Sequence, residues 1–222
     1  MRRLLASSFQ VESVLVTEKR ADEIAPLVPA GVPVYVAAAA VVNRIIGFKF
    51  HSGTMAVARR PRSQTLDDVL RDKQRALIVV CPEIANTENL GSMIRIAAAF
   101  GADAMLIGER SCDPFFRQSV RVSMGAVFKL PIVRSTNIVD DLRSLRDRGV
   151  ELIATVLDES AEALNDVTTP ARVAVLFGNE AQGLSPEHVA LCDRRVTIPM
   201  KLGTDSLNVA VAAGVFLYHF SH

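Results

Sequence analysis

Three polar segments of the sequence follow apolar stretches that read as strands, and each leads into a predicted helix. "PEIANTENLGSMIR" follows the stretch 76–81, "NEAQGLSP" follows 173–178, and "MKLGTDSLN" follows "RVTIP". Arg, Glu, Ser and Asn side chains in such segments can bind phosphates, orient hydroxyl groups and stabilise developing negative charge. Ligands of an open parallel sheet bind beyond the carboxyl ends of its strands. We therefore expect the three segments to form one pocket.

The elements that must position these segments alternate regularly from residue 76 onward. Short β-branched runs separated by helices of roughly ten residues predict an α/β fold, with a parallel sheet and helices on both faces. Gly101 is placed to end the first of these helices, and Asp113 with Pro114 is placed to start the next. The apolar run 207–220 predicts a buried terminal helix. Asp205 or Ser206 is expected to cap it, which leaves Asn208 inside the first turn.

Composition divides the chain into three parts. Residues 1–60 predict a small α/β module, residues 61–75 a polar linker, and residues 76–222 the main domain. Residues 1–75 carry 12 Lys or Arg against 7 Asp or Glu, whereas residues 76–222 carry 13 against 17. A basic first third favours a polyanionic partner for that part of the chain.

Missing motifs argue against several function classes. The sequence has no GxGxxG dinucleotide fingerprint, no GxxxxGK[ST] phosphate loop and no GxSxG nucleophile turn. The four histidines lack the spacing of metal ligands, so we expect no metal site. Three well-separated cysteines favour thiols in a reducing compartment. We read neither a secretory signal nor an apolar run of membrane-spanning length, and therefore expect a cytoplasmic protein with no membrane partner.

Three stretches of the sequence carry a resemblance to a known family. "NLGSMIRIAAAFGAD", "LFGNEAQGLS" and "IPMKLGTDSLNVAVAAG" resemble the three ordered motifs of the SpoU-type RNA ribose 2′-O-methyltransferases of the SPOUT superfamily, over residues 76–220. Each motif alone is weak, but three in order, each after a strand, are specific. The resemblance implies a C-terminal trefoil knot, S-adenosylmethionine as cofactor, a homodimer, and ribosomal or transfer RNA as substrate. It also implies that residues 1–60 resemble an L30e-type RNA-binding module that is shortened at its start.

The resemblance assigns roles to two sets of residues. The catalytic set is Asn89, Arg95, Glu180, Ser206 and Asn208. The cofactor-binding set is Leu176, Phe177, Gly178, Asn179, Gly183, Ile198, Met200, Leu202, Ser206, Leu207 and Asn208. Within it, Leu207 is expected to pack on the adenosine.

The reaction implied is an attack of a ribose 2′-hydroxyl on a sulfonium methyl group. Arginine side chains are normally protonated at neutral pH, so we expect Arg95 to position the RNA and stabilise charge, and we leave the general base unassigned. Glu180 is expected to accept a hydrogen bond from Arg95 or from Asn89. Two other functions stay open: a non-catalytic RNA-binding or assembly protein of the same fold, and an enzyme that methylates a base nitrogen of RNA.

Overall fold

A computed structural model of the chain describes residues 1–47, 51–201 and 205–221. Within these residues the chain divides into two compact units between Arg62 and Ser63.

The smaller unit is built on a three-stranded sheet. Its elements are α1 (Arg2–Leu5), β1 (Val11–Thr17), α2 (Glu18–Ile24), a 3₁₀ turn (Ala25–Leu27), β2 (Val34–Ala37), α3 (Ala39–Ile46) and β3 (Thr54–Ala58). The central strand β1 pairs parallel with β2 and antiparallel with β3. Val14, Val16, Ile24 and Val42 are buried and form its core. The resemblance of this unit to an L30e-type module stays a prediction.

The larger unit begins with a helix inside the segment that the sequence predicts as a linker. This helix, α4 (Leu66–Leu70), starts with a reciprocal capping box between Thr65 and Asp68. Its apolar side chains are buried against the larger unit's sheet. The boundaries of the functional domains stay a prediction.

Strands and helices alternate through the rest of the larger unit, as the sequence predicts. The elements are β4 (Ala76–Cys81), α5 (Thr87–Ala99), β5 (Ala104–Ile107), α6 (Arg117–Val122), β6 (Ile132–Arg134), α7 (Ile138–Asp147), β7 (Glu151–Thr155), β8 (Glu162–Ala163), β9 (Arg172–Leu176), α8 (Pro186–Leu191), β10 (Arg194–Thr197) and α9 (Val209–Phe220). Two 3₁₀ turns lie at Ala126–Phe128 and Leu164–Asp166.

The seven strands of the larger unit form one sheet in the order β6-β5-β4-β9-β7-β10-β8, and the pairs along it are parallel. The chain runs outward from β4 through β5 to β6, then crosses to the other half of the sheet. The strand order therefore reverses between β4 and β9, which is where open α/β sheets bind their ligands.

Helices cover both faces of this sheet, because side chains along each strand point alternately to either side. In β4, Leu77, Val79 and Cys81 join the core beneath α5 and α9. Its alternate residues Ala76, Ile78 and Val80 join the core beneath α4 and α7. The α/β fold with helices on both faces is thus confirmed. The trefoil knot depends on the whole chain path, part of which passes through residues 202–204 outside the described ranges, and it stays a prediction.

Two predicted helix starts are wrong. Helix α6 starts at Arg117 rather than at Pro114, because the Asp113 carboxylate accepts the N–H of Phe115 and closes a turn before the helix begins. Helix α9 is capped by Asn208 rather than by Asp205 or Ser206. The Asn208 side-chain oxygen accepts the Ala210 N–H at 2.9 Å, so Asn208 precedes the first turn instead of lying inside it.

Candidate active site

A cavity of about 630 Å³ opens beyond the carboxyl ends of β7, β9 and β10. This volume is typical of small-molecule sites. Its wall is formed by the residues that follow these strands, namely 155–158, 177–184 and 206–209 with Ile198 and Met200, and by Asn89, Ala212 and Phe216 from two helices. Two of the three polar segments picked out from the sequence, those after β9 and β10, thus form most of the wall. The third contributes Asn89.

Most of the residues proposed for the site lie in this wall. They are Asn89, Phe177, Gly178, Asn179, Glu180, Gly183, Ile198, Met200, Ser206, Leu207 and Asn208. Leu176 is fully buried in β9, one residue before the wall begins, so it supports the site without lining it. Leu202 lies outside the described residues. Arg95 is exposed on α5 and does not line the cavity.

The amide of Asn89 joins the three segments. Its Nδ2 donates to Glu180 Oε1 at 3.0 Å, and its Oδ1 accepts from Asn208 Nδ2 at 3.0 Å. An asparagine can serve both neighbours because its amide carries a donor and an acceptor. The Glu180–Asn89–Asn208 chain of hydrogen bonds therefore ties together residues from three distant parts of the sequence. Of the two partners expected for Glu180, the structure shows Asn89.

The Glu180 carboxylate also fixes the connection between β4 and α5. It accepts the backbone N–H groups of Ala85 at 3.3 Å and Asn86 at 3.1 Å. Partial burial opposes ionisation of Glu180, but hydrogen bonds from the Asn89 side chain and from backbone N–H groups outweigh this and lower its pKa. The carboxylate is therefore charged at neutral pH and can only accept hydrogen bonds.

The start of α5 is held by a cap that the sequence reasoning missed. The Asn86 side chain accepts the N–H groups of Glu88 at 2.7 Å and Asn89 at 3.2 Å. Asn86 thus caps the helix and fixes the backbone of Asn89. The signal was available, since Asn followed by a predicted helix is a usual start signal.

The loop after β9 folds back tightly on itself. Asn179 and Gly183 exchange backbone hydrogen bonds at 2.9 and 2.8 Å, and Gly183 has a φ of 69°. A Cβ at Gly178 would lie 2.2 Å from the backbone carbon of Gly183 and from the nitrogen of Leu184. The turn therefore needs glycine at Gly178, because any side chain there would force the two strands of the loop apart.

Gly178→Ala is expected to weaken ligand binding in the cavity at least about tenfold, since the loop that forms part of its wall must open by roughly 1 Å. Isothermal titration calorimetry with S-adenosylmethionine, the cofactor that the resemblance implies, measures the change in affinity. The matched control is Gly214→Ala in α9, where the nearest atom is 4.0 Å from the added Cβ. That control is expected to bind normally and to be slightly more stable, because alanine is favoured over glycine in a helix. Normal binding by Gly178→Ala would contradict the prediction.

Arg95 lies on the stripe of α5 that faces α6. Glu88, Gly91 and Arg95 are three and four residues apart, which places them on one side of the helix. Glu88 accepts a hydrogen bond from Gln118, and a Cβ at Gly91 would lie 2.7 Å from the Ser119 carbonyl oxygen. Arg95 forms no hydrogen bond or ion pair with the residues that the structure describes. An exposed guanidinium without such a partner is available to an anionic ligand.

The end of β7 and the segment that follows it also line the cavity, and the sequence reasoning missed them. Thr155, Val156, Leu157 and Asp158 all contribute to the wall. Thr155 Oγ1 donates to the Leu176 carbonyl at 2.8 Å and joins β7 to β9, while Asp158 forms an ion pair with Arg195. No motif marks this segment. Only the pairing of β7 beside β9 brings it to the site.

Within the described ranges, no group of three or more His, Cys, Asp or Glu side chains is placed to hold a metal ion. None of the helices that the structure describes has the length and apolar character needed to cross a membrane.

Comparisons with known proteins give consistent likenesses. The sequence model of the SpoU rRNA Methylase family matches residues 76–218. The chain is similar to an uncharacterized tRNA/rRNA methyltransferase of Mycobacterium bovis, at 36% identity over 98% of this chain and 76% of the relative. It is also similar to the 23S rRNA (guanosine-2′-O-)-methyltransferase RlmB of Acinetobacter baylyi, at 31% identity over 86% of this chain and 78% of the relative.

Solved structures agree with the sequence comparisons. The AdoMet-bound rRNA methyltransferase from Sinorhizobium meliloti superposes with a TM-score of 0.86 at 26% identity, over 99% of this chain and 84% of that one. The likeness thus extends over nearly the whole chain.

Proposed function

The chain belongs to the SpoU rRNA Methylase family of RNA methyltransferases, and we propose that it transfers a methyl group from S-adenosylmethionine to a ribose 2′-hydroxyl of ribosomal or transfer RNA. The observation that carries this proposal is the Glu180–Asn89–Asn208 chain of hydrogen bonds beside a ligand-sized cavity. The choice of the 2′-oxygen rests on the similarity to the guanosine-2′-O-methyltransferase of Acinetobacter baylyi.

The residues of the cavity fit S-adenosylmethionine in size and charge. Phe177, Ile198, Met200 and Leu207 provide apolar contacts for a nucleoside, and the glycine-containing loop after β9 brings backbone polar groups to the same wall. The ionisable side chains of the described wall are Glu180 and Asp158, the latter paired with Arg195, so the wall presents no basic side chain to a ligand whose net charge is positive. When bound, S-adenosylmethionine supplies a methyl group activated by the positive charge on sulfur.

Asn208 and Ser206 have different roles in the proposed site. Both ends of the Asn208 amide are engaged, the nitrogen with Asn89 and the oxygen with the N–H of Ala210. Asn208 therefore holds the third segment in place. The Ser206 hydroxyl makes no hydrogen bond to a described residue and lines the cavity, so we assign it to contact with the substrate ribose or the cofactor.

Arg95 acts on the RNA in this proposal. A guanidinium stays protonated near neutral pH, so Arg95 is not the group that accepts the proton of the ribose hydroxyl. A charged arginine can hold a phosphate through two parallel hydrogen bonds and stabilise a developing alkoxide. Its position outside the cavity of its own chain agrees with a role toward RNA rather than toward the cofactor.

We also propose that the protein is a homodimer that uses α9. One face of α9 is buried, whereas Val211, Val215 and Tyr218 expose 53%, 40% and 62% of their surface. A helix that is apolar on all sides is normally buried on all sides. A second copy of the chain would cover the exposed stripe.

Val215→Glu is expected to convert the homodimer to a monomer, because a carboxylate in the middle of an apolar interface must be desolvated without a partner. Light scattering after size exclusion measures the mass. Val57→Glu is the matched control, since Val57 is similarly exposed, at 54%, but lies in the smaller unit. A dimer that persists in Val215→Glu, or is lost equally in Val57→Glu, would refute the α9 interface.

The proposed function is tested by incubating the protein with methyl-labelled S-adenosylmethionine and unmodified ribosomal and transfer RNA. We expect label in RNA and resistance of one phosphodiester to alkaline hydrolysis, since a 2′-O-methyl group removes the attacking hydroxyl. Label without alkali resistance would favour a base-nitrogen methyltransferase. RNA binding without label would favour a non-catalytic assembly protein. An RNA substrate and three free thiols favour the cytoplasm.

A further inference from the structure

An exposed aromatic side chain lies at the carboxyl end of β5, outside the cavity. Phe116 exposes 56% of its surface, whereas its neighbour Phe115 packs against the core beneath α5 and Pro114 is buried. Of the two adjacent phenylalanines, one thus anchors the loop and the other is presented to solvent.

The backbone around Phe116 is fixed by hydrogen bonds. The Phe115 N–H donates to Asp113 Oδ1 at 2.9 Å, and the Phe116 N–H donates to the Asp113 carbonyl at 3.0 Å. The Phe116 carbonyl accepts the Val120 N–H at 3.0 Å, which joins the residue to α6. An aromatic ring on such a constrained backbone loses little further entropy when a ligand packs on it.

The helix that follows Phe116 contacts the helix that carries Asn89. Two residues further on, Gln118 Nε2 donates to Glu88 Oε1 at 2.5 Å, and Glu88 precedes Asn89. Helices α5 and α6 are in close contact there. The contact is possible because Gly91 has no side chain, and a Cβ at this position would collide with the backbone of Ser119. Along the sheet edge, Phe116 follows β5 and Asn89 follows β4, while the cavity lies beyond β9, β7 and β10. Along the sheet, the segment that carries Phe116 and the loops that form most of the cavity wall therefore lie on opposite sides of the segment that carries Asn89.

Two exposed arginines follow Phe116 in α6. Arg117 and Arg121 are exposed and four residues apart, so they share the outer side of α6, and Arg95 lies on the stripe of α5 that faces α6. The nearby acid Glu88 is engaged by the neutral Gln118. Two further arginines, Arg110 and Arg134, form ion pairs with Glu83 and Asp113. An exposed aromatic ring beside arginines is typical of surfaces that bind single-stranded nucleic acid.

We propose that Phe116 stacks on a base of the RNA substrate close to the methylated nucleotide, while Arg117 and Arg121 bind the adjoining phosphates. This inference rests on the proposed function. The inference adds to the proposed function a requirement on the RNA: the nucleotides beside the methylated one must be single-stranded or unpaired. Bases that are stacked and paired in an A-form helix offer no free face to an aromatic ring.

The test compares Phe116→Ala, Phe116→Leu and Phe116→Trp with the wild type in RNA affinity, steady-state kinetics and affinity for S-adenosylmethionine. Alanine and leucine both remove the ring, and leucine keeps an apolar side chain of similar bulk. We expect each to raise the Kd and the KM for RNA at least about fivefold, while kcat and the cofactor Kd stay within about twofold. Phe116→Trp is expected to match or exceed wild-type affinity. Arg117→Gln and Arg121→Gln should each lower the dependence of log Kd on log salt by roughly 0.7.

Wild-type methyl transfer is measured first, so that the two proposals can fail separately. If the wild type labels no RNA, the proposed function fails. If it labels RNA and Phe116→Ala binds that RNA normally, only the stacking proposal fails. If Phe116→Leu binds RNA with wild-type affinity, the contact is apolar packing rather than stacking, and the stacking proposal also fails. Loss of the homodimer in Phe116→Ala would assign Phe116 to a subunit contact instead and would overturn the stacking proposal.

Discussion

Arg95→Ala is expected to reduce methyl transfer by about 10²–10³-fold or more while S-adenosylmethionine binds with unchanged affinity. The reason is that Arg95 lies outside the cavity and is exposed, so its removal leaves the cavity wall intact. Loss of a group that stabilises charge in the transition state costs about this much in other enzymes. Single-turnover transfer at saturating RNA, together with calorimetric cofactor binding, measures both quantities.

Two further variants sharpen the interpretation of Arg95. Arg95→Lys is expected to recover only part of the activity, because an ammonium group cannot form the two parallel hydrogen bonds of a guanidinium. Arg143→Ala on α7 serves as the matched control, since Arg143 is also an exposed arginine on a helix and forms an ion pair with Asp140 on its own helix. If Arg95→Ala loses cofactor binding and turnover to the same extent, the proposal that Arg95 acts on the RNA rather than on the cofactor is wrong.

The parts of the fold that the sequence predicts well are those fixed by local chemistry. Gly101 and Gly149 end helices with φ near 70°, as glycine after a helix usually does. Ser185 caps α8 through the N–H of His188, as Ser before Pro predicts. The buried strands are recognisable because both of their faces are covered and their residues are almost all apolar.

The parts that escape prediction depend on contacts between distant segments. Strand β8 has two residues and exists only by pairing with β10. The order of strands puts β9 between β4 and β7, and no local pattern contains that information. The cap of α9 has the same character. Local preference does not distinguish the candidate caps, because Asp, Ser and Asn all cap helices well. The residue that caps α9, Asn208, also forms a hydrogen bond with Asn89, which lies 119 positions earlier in the sequence.

The site shows the same division between local and distant information. The three motifs pick out segments that meet at one cavity, and of the proposed residues that the structure describes all but Leu176 and Arg95 reach its wall. What the sequence leaves open is how they are connected. By sequence, Glu180 could accept a hydrogen bond from Arg95 or from Asn89. The structure shows the bond from Asn89, because Arg95 lies on the side of α5 that faces α6. The connection through one amide makes Asn89 the residue whose replacement is most informative.

Asn89→Asp is expected to lower methyl transfer at pH 8 by about 100-fold, although the side chain hardly changes in size. The introduced carboxylate can still accept from Asn208, but it cannot donate to Glu180, which carries a negative charge of its own. Two like charges about 4 Å apart repel by about 4 kcal/mol at an effective dielectric constant of 20, before further solvent screening. The segments after β4 and β9 should therefore separate, and a displacement of roughly 1 Å is enough for such a loss.

The pH dependence distinguishes this repulsion from a simple loss of fit. When two carboxylates share a site, one of their pKa values rises, and the protonated partner becomes a donor. The activity of Asn89→Asp relative to the wild type should therefore increase as the pH falls from 8 to 6, whereas Glu180 in the wild type stays ionised because its pKa is lowered. Asn86→Asp is the matched control. Asn86 uses its side-chain oxygen as an acceptor for two N–H groups, and aspartate caps helices equally well. Activity of Asn89→Asp within about threefold of the wild type at pH 8, or a loss that does not change with pH, would show that the bridging amide does not hold the site together.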